Sequence, residues 1–499
     1  MILLGLLIVP LAAGPLALFL RRRRMMEVVN LVAFAILLGL AAGLAAQVLR
    51  SGPVSLWDGF LYADALSALV VLLSAFVSLV CSIYAVGYFR HEERSGVLQE
   101  AEEVGGRFAV NMLREYYALM PLLVFAMMLV ALANNLGILW VAIEGTTLAS
   151  VFLVMFYGRD TSLEAAWKYA IIGGVGLSMA LFGTILTYYS AYGALGTDAL
   201  ARLNWSVLAG NAAQFDKPTM RLAFILILLG YGTKAGVAPM HTWKPDAYSE
   251  APIPGAAMLA TGVLNCALYG LIRFYILTSK CLGPHFGSQL LILFGLLSMG
   301  VAVPFIIVQK NFRRLLAYSS IDHSGIMVLA LGFGGPLGIL GMLLHMTFHS
   351  VTKPLLFFCA GNVQQHLNTD LFRKAKGGLI HSMPLTGAAF LMVTLAVTGS
   401  PPFSFFQSEF TILRAGFNGG HLVLTIFFVS FLVLIFSGFL VHIADLVLGE
   451  DPGLPRADAC GWKKYSVAGL ALVIVVMGFW IPAPLFTLIQ GAVGIVVGG

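Results

Sequence analysis

The sequence predicts an all-α polytopic membrane protein with about fourteen transmembrane helices. Of its 499 residues, 59% are hydrophobic and only 10% are charged, whereas soluble proteins average about 25% charged residues. Apolar runs of roughly 18–25 residues are long enough to cross a bilayer as helices, and fourteen such runs follow one another along the chain. Lysine and arginine are concentrated in alternate connections between these runs, as is typical of membrane proteins.

The fourteen predicted helices are joined by connections of very different length. The two shortest, at Asn134-Asn135 and Gly334-Gly335-Pro336, consist of turn-forming residues. The first run is followed by four arginines and preceded by no charge, which is the reverse of the order in a signal peptide, so we expect it to remain as a helix. The predicted helices cover 2–20, 28–49, 64–89, 117–134, 136–157, 166–190, 220–238, 254–278, 288–308, 318–334, 336–361, 381–412, 421–445 and 465–489.

The positive charges predict the orientation of these helices. If the N-terminus faces outward, the odd-numbered connections are cytoplasmic and hold 20 of the 29 lysines and arginines, with Lys244 counted among them. Cytoplasmic connections are the ones enriched in these residues, so we predict both termini on the outer face. The net charge of +6 arises in these connections and does not indicate nucleic-acid binding.

Charged side chains inside predicted transmembrane helices are candidate functional groups, because placing a charge in a bilayer costs free energy. Glu144 lies in helix 5, and Lys234 lies in helix 7 just before a predicted break at Ala238-Pro239. Glu409 lies in helix 12 after a second break, Gly399-Ser-Pro-Pro402. A broken helix is tolerated only where protein or water covers the freed backbone. Paired interruptions in the two halves of a chain indicate a transporter built from inverted repeats.

Helices 10 and 11 carry further titratable groups. His345, His349 and Lys353 are spaced by four residues, so they share one helical face, and His323 opens the body of helix 10. We predict a row of titratable groups with an acid at each end, in which moving a carboxylate toward or away from a buried lysine loads or unloads its proton. The alternative for His323 is a packing or hydrogen-bonding role, and Arg273 is expected to pair or snorkel rather than conduct.

Redox and metal chemistry within this chain is not expected. The five cysteines lie far apart and none is in a Cys-x-x-Cys pair, so the sequence predicts no iron–sulfur or zinc site. Metal, nucleotide and nucleophile motifs are also missing, which makes a self-sufficient enzyme active site an unsuitable interpretation.

Three motifs resemble a known family. They are GTKAGVAPMHTWKPDAYSEAP from Gly232, RRLLAYSSIDHSG from Arg313 and HMTFHSVTKPLLFFCAG from His345. All three resemble the proton-conducting antiporter-like subunits of respiratory complex I, Mrp-type cation/proton antiporters and membrane-bound NiFe hydrogenases. The segments that begin at Asn134 and Asn265 are most similar to the F subunit of hydrogenase-4-type complexes.

This resemblance spans about residues 60–450 and implies an architecture. The family fold has two inverted five-helix repeats, helices 4–8 and 9–13, with helices 7 and 12 broken. On that division, 1–116 holds helices 1–3 and a cytoplasmic loop, 117–278 the first repeat, 288–445 the second repeat, and 446–499 the C-terminal helix 14.

The resemblance also implies roles for individual residues. Glu144 and Lys234 match the glutamate–lysine pair of helices 5 and 7, and Glu409 matches the terminal ionisable residue of helix 12. Many family members use a helix 8 lysine as the central relay, but the matching residue here is Asn265, which cannot titrate. Either water held by Asn265 and helix 11 carries the proton, with Lys353 as the substitute, or central conduction is impaired. The remaining relay positions match His323, His345, His349 and Lys353.

The implied function is ion translocation in a prokaryotic cell (inner or plasma) membrane. The chain would be a subunit of a hydrogenase-type or complex I-like respiratory complex, moving protons, with sodium ions as the alternative, under the control of a cytoplasmic-side redox arm. That arm and other membrane subunits are the expected partners, and they would hold the NiFe and iron–sulfur centres. The alternatives are a subunit of an Mrp-type Na+/H+ antiporter, a proton-coupled inorganic-carbon uptake module and a non-pumping scaffold for a redox arm. Asn265 favours the scaffold, whereas Glu144 and Lys234 argue against it.

Overall fold

The protein is almost entirely helical in the part of the chain that the computed structural model describes, residues 1–105, 109–200, 203–375, 377–450, 453, 455–459 and 461–498. One antiparallel hairpin, β1 (Val54–Leu56) and β2 (Leu61–Ala63), stands between the second and third helices. The prediction of an all-α polytopic membrane protein is therefore confirmed.

The helices fall into three groups, separated by two non-helical interruptions, one between Ala235 and Trp243 and the other between Val397 and Ser404. Before the first interruption lie α1 (Ile2–Phe19), α2 (Arg23–Ser51), α3 (Ala65–Arg94), α4 (Val97–Gly105), α5 (Ala109–Leu132), α6 (Leu136–Val154), α7 (Asp160–Leu200), α8 (Trp205–Asn211) and α9 (Lys217–Ala235). Next come α10 (Trp243–Glu250), α11 (Ile253–Met258), α12 (Leu264–Leu282), α13 (Pro284–Ile307), α14 (Phe312–Phe333), α15 (Gly335–Leu367), α16 (Phe372–Ala375), α17 (Leu379–Ser382) and α18 (Pro384–Val397). The last group is α19 (Ser404–Asn418), α20 (Leu422–Leu448), α21 (Trp462–Phe479) and α22 (Ala483–Val497).

Eleven helices of the described residues are long and apolar enough to cross a membrane. They coincide with eleven of the fourteen predicted runs. The other three runs, 220–238, 336–361 and 381–412, contain Lys234, the His345–Lys353 face and Glu409. Polar side chains and interruptions thus weaken the apolar signal in these three segments.

The first interruption begins directly after Lys234. Helix α9 ends at Ala235, and Gly236 adopts the left-handed conformation, with φ of 68°. Glycine is favoured there because it has no Cβ to clash. The helix therefore stops earlier than the predicted break at Ala238-Pro239, and the chain becomes helical again at Trp243.

The second interruption lies where the sequence predicted it. Helix α18 ends at Val397 and α19 begins at Ser404, with Gly399 at φ of 72° between them. The run 381–412 is accordingly divided among α17, α18 and α19. Both predicted breaks, in helix 7 and helix 12, are present.

A third interruption was not predicted. The run 465–489 was expected to be one helix, but it is divided into α21 and α22 between Phe479 and Ala483. Lys463 packs against Gly87 near the end of α3, whereas Gly491 lies against Ala65 at its start. These two α3 positions are about 33 Å apart along a helix, so α21 and α22 follow α3 one after the other through the bundle.

A buried ion pair fastens α3 to α12. The Arg273 guanidinium donates to both carboxylate oxygens of Asp64, at 2.7 and 2.8 Å, and to Ser67 Oγ at 3.0 Å. Its Cζ also lies 4.1 Å from the centre of the Trp205 ring. Arg273 therefore pairs with a carboxylate, which is one of the two roles that the sequence predicted for it.

Candidate functional site

Lys234 is buried in the last turn of α9, with 2% of its surface exposed. Its Nζ donates to Thr147 Oγ1 of α6 at 2.8 Å and to Tyr169 OH of α7 at 2.6 Å. The Tyr169 hydroxyl also lies 2.7 Å from Ser150 Oγ. The lysine thus joins three helices through neutral hydroxyls, and the carbonyl end of α9 favours its positive charge.

Glu144 lies one helical turn before Thr147 on α6. Its side chain is half-buried, and Oε2 is shielded from solvent with no hydrogen-bond partner among the described residues. Glu144 and Lys234 interact electrostatically, although the described ion pairs do not include this one. The structure therefore brings the two residues near each other without direct contact.

Asn265 lies between the Lys234 region and α15. It follows a π-helical segment, Leu259–Val263, at the start of α12, and such segments are frequent at functional sites. Its Nδ2 donates to Ser350 Oγ at 2.7 Å, and Oδ1 is buried without a partner in the described part of the chain. The next residue, Cys266, lies near Lys234.

The three histidines form one buried cluster. His323 Nδ1 of α14 lies 2.9 Å from His345 Nε2 of α15, and His345 Nδ1 lies 3.1 Å from Ser408 Oγ of α19. The His349 ring is centred 5.3 Å from that of His323, and neither of its nitrogens has a hydrogen-bond partner among the described residues. The structure thus brings together the histidines that the sequence singled out and connects them to α19.

Lys353 and Asp322 form the centre of the row. Lys353 is fully buried and donates from Nζ to Ser319 Oγ at 2.7 Å. Asp322 is 2% exposed and interacts electrostatically with both Lys353 and Glu409. The sequence prediction did not include Asp322, although an acid inside a predicted transmembrane helix meets the criterion that selected Glu144.

Glu409 is nearly buried, with 8% of its surface exposed. Its carboxylate packs against Gly399, the glycine of the second interruption. It also lines a cavity of about 280 Å³ between α18, α19 and α20. Phenylalanine side chains form much of that cavity's wall: Phe406, Phe410, Phe428 and Phe436.

Lys244 is a buried cation that the sequence prediction assigned wrongly to a cytoplasmic connection. It lies on α10 inside the bundle and is fully buried. Its Nζ donates to Ser324 Oγ at 3.0 Å, and that hydroxyl lies 3.1 Å from the carbonyl oxygen of Ala235. The polar composition around Lys244 suggested a loop. The useful signal would have been its position directly after the helix 7 break.

The arrangement as a whole suits proton transfer. Buried titratable groups extend from α6 and α9 through α14 and α15 to α19. In the described part of the chain, no three His, Cys, Asp or Glu side chains are grouped so that they could hold a metal ion. Serine, threonine and tyrosine hydroxyls, which can both donate and accept hydrogen bonds, stand between the charged groups.

Comparisons with known proteins match this architecture. The family described as "NADH:quinone oxidoreductase/Mrp antiporter, TM" matches residues 133–435. The hydrogenase-4 component F homolog of Methylacidiphilum infernorum is 36% identical over 85% of this chain and 86% of its own length. The NADH-quinone oxidoreductase subunit N of Desulfitobacterium hafniense is 28% identical over 74% of this chain and 76% of its own length.

A solved structure shows the same fold. A chain of the membrane-bound sulfane sulfur reductase, an archaeal respiratory membrane complex, superposes with a TM-score of 0.86 at 24% identity, covering 99% of this chain and 97% of the other. The family match covers more than half of the chain and includes every residue of the row from Glu144 to Glu409. The chain therefore belongs to the NADH:quinone oxidoreductase/Mrp antiporter family of transmembrane proteins.

Proposed function

We propose that this chain is the ion-translocating, antiporter-like membrane subunit of a hydrogenase-type or complex I-like respiratory complex. One observation carries the proposal: buried titratable side chains succeed one another from Lys234 to Glu409. Keeping such groups away from water costs free energy, so their presence inside a membrane bundle indicates a function. The relatives support the setting, because they are described as components of hydrogenase-4 and of NADH-quinone oxidoreductase.

The first step is the loading and unloading of Lys234. Glu144 is close enough to act on the lysine electrostatically, yet the lysine bonds to neutral hydroxyls of Thr147 and Tyr169. A shift of Glu144 toward Lys234 favours the ammonium, and a shift away favours release of the proton. Glu144 is half-exposed on α6, so a neighbouring subunit can contact that helix and move the carboxylate.

The released proton then passes along α14 and α15 to α19. Lys353 accepts it in the centre, in the role that the helix 8 lysine has in many relatives. His323 and His345 are in hydrogen-bond contact, and His345 also contacts Ser408, the residue before Glu409. Glu409 exchanges the proton with the far side of the membrane. His349 lies beside this path, and its protonation state changes the electrostatic potential along the path.

The orientation and the partners follow from the same proposal. Both termini lie on the outer face, and the cytoplasmic side docks a redox arm whose subunits hold the NiFe and iron–sulfur centres. The transported ion is the proton, with Na+ as the alternative. Because the family also includes Mrp antiporters, purification with native partners separates a redox-driven complex from a gradient-driven one.

The test is proton flux through the native complex in liposomes. The purified complex is reconstituted with an internal pH dye, and a potassium diffusion potential drives the protons. Lys234→Ala should reduce flux at least tenfold, because the buried cation on which Glu144 acts is lost. The control is Lys280→Ala at the end of α12, whose Nζ donates to the Ala209 carbonyl outside the row.

Equal flux for wild type and Lys234→Ala would contradict the proposal and favour the non-pumping scaffold. Sodium dependence is measured in the same liposomes by replacing Na+ with choline. A flux that disappears without Na+ would identify sodium as the transported ion while leaving the residue assignments in place.

A further inference from the structure

We propose that Lys244 is the titratable group that carries the proton across the centre, from Lys234 to the α14–α15 row, at the point where Asn265 cannot. The inference rests on the proposed function and adds a residue to it. It also accounts for a fully buried lysine on α10, directly after the first interruption.

The first argument is position. The Ser324 hydroxyl accepts a hydrogen bond from Lys244 Nζ. It also lies within hydrogen-bonding distance of the carbonyl oxygen of Ala235, the residue after Lys234. The stem of Lys244 crosses Gly236 so closely that a Cβ there would overlap Cδ and Cε. The side chain therefore starts beside the end of α9 and finishes on α14.

The second argument is the set of titratable side chains around Lys244. His241 on its own segment, His323 on α14, and His349 and Lys353 on α15 lie within electrostatic reach of it. Among the described residues no carboxylate forms an ion pair with it. A buried cation without a paired anion is costly, so an added proton on Lys244 is readily passed on.

The third argument is the contrast with Asn265. Its amide donates to Ser350 Oγ of α15 and can orient water, but it cannot take up and release a proton. Lys244 lies on α10 and donates to Ser324 of α14, and Lys353 of α15 is within its electrostatic reach.

The proton transfer from Lys234 through Lys244 to Lys353 conserves atoms and charge. An N–H bond of the Lys234 ammonium breaks and leaves its electron pair on the nitrogen, while the neutral Lys244 amine forms a new N–H bond, directly or through water. Lys244 then gives that proton to the neutral Lys353 amine in the same way. No oxidant, reductant or second substrate is needed.

Proton flux through the reconstituted native complex tests the inference with three variants. Lys244→Met removes the titratable group, Lys244→Gln keeps a polar group that can reach Ser324, and Lys244→Arg keeps a positive charge that does not deprotonate in proteins. Each should reduce flux at least tenfold in complexes that still assemble, judged by subunit composition and a monodisperse elution profile. Lys280→Met is the matched control and should keep wild-type flux.

The variants separate a proton carrier from a fixed charge. Wild-type flux in Lys244→Arg would show that only the charge matters and would overturn the proposal, and so would wild-type flux in Lys244→Met or Lys244→Gln. If Lys244→Met fails to assemble, the other two variants decide. Loss of flux in Lys234→Ala with normal flux in the Lys244 variants overturns this inference alone, whereas normal flux in Lys234→Ala overturns the proposed function.

Discussion

The buried pair of Asp64 and Arg273 allows a stability prediction that is independent of transport. Arg273→Met removes two hydrogen bonds to the Asp64 carboxylate and one to Ser67. Both charged side chains are 2% exposed, so Asp64 would remain as a buried anion. Breaking one side of such a pair costs about 3–5 kcal/mol of unfolding free energy. The matched control Arg50→Met, at an exposed position, should change it by less than about 0.5 kcal/mol.

The double variant Asp64→Asn/Arg273→Met provides the stricter test. Replacing both members of a buried pair by neutral groups is often close to neutral, and the introduced asparagine would still accept from the Ser67 amide as the N-cap of α3. We therefore expect the double variant to be more stable than Arg273→Met by at least about 2 kcal/mol, most of the cost of an unpaired buried charge. SDS titration in mixed micelles, followed by tryptophan fluorescence, measures these differences. The reasoning would be refuted if the stability loss of the double variant equalled the sum of the losses of Asp64→Asn and Arg273→Met. It would also be refuted if Arg273→Met lost no more than the roughly 1 kcal/mol of an ordinary substitution.

The same pair has a defined pH dependence. Burial acts to raise the pKa of Asp64, but the charge and hydrogen bonds of Arg273 and the Ser67 contacts hold that pKa below its ordinary value. Its stabilising contribution is therefore present above the ordinary pKa of about 3.9 and is lost as pH falls through the lower folded value. The stability difference between wild type and Asp64→Asn should stay constant from about pH 5 to 8 and shrink below about pH 4. A difference that shrinks in the neutral range would disagree with this assignment.

Two further predictions concern the row and its support. Ser408→Ala removes the contact with His345 and should lower proton flux into liposomes several-fold. In SDS titration it should cost about 1 kcal/mol or less of unfolding free energy. Unchanged flux would place the proton path elsewhere. Gly230→Leu should prevent assembly, because a Cβ at Gly230 already lies 2.6 Å from backbone atoms of α7 and small residues allow such close helix packing in membranes. Gly210→Leu, where a Cβ meets nothing within 4 Å, is the control, and equal yields on size-exclusion chromatography would contradict the packing argument.

The sequence predicted the features that follow from local chemistry. The interruptions of helices 7 and 12 could be predicted because Gly and Pro end helices. The shared face of His345, His349 and Lys353 could be predicted because helical periodicity fixes it. Glu144, Lys234 and Glu409 stood out because charges are rare in transmembrane helices.

The sequence could not predict features that depend on tertiary packing. Lys244 lies in a polar segment that resembles an exposed connection, and only the fold of α10 against α14 buries it. The interruption between α21 and α22 has an apolar sequence on both sides, and hydropathy alone describes one continuous helix. Pro482 and Pro484 at the interruption were a local signal that the prediction did not use. The separation of Glu144 from Lys234 depends on how α6 and α9 are positioned by neighbouring helices, which spacing along the chain does not specify.

The central claim is that one proton path connects Lys234 with Glu409. Its most direct test compares potential-driven proton flux in the reconstituted native complex for wild type, Lys234→Ala and Glu409→Gln. Because consecutive steps of one path are all required, the account predicts that each variant loses flux at least tenfold and that combining them adds little. Wild-type flux in assembled Glu409→Gln complexes, or losses that multiply in the double variant, would contradict a single path between these two residues.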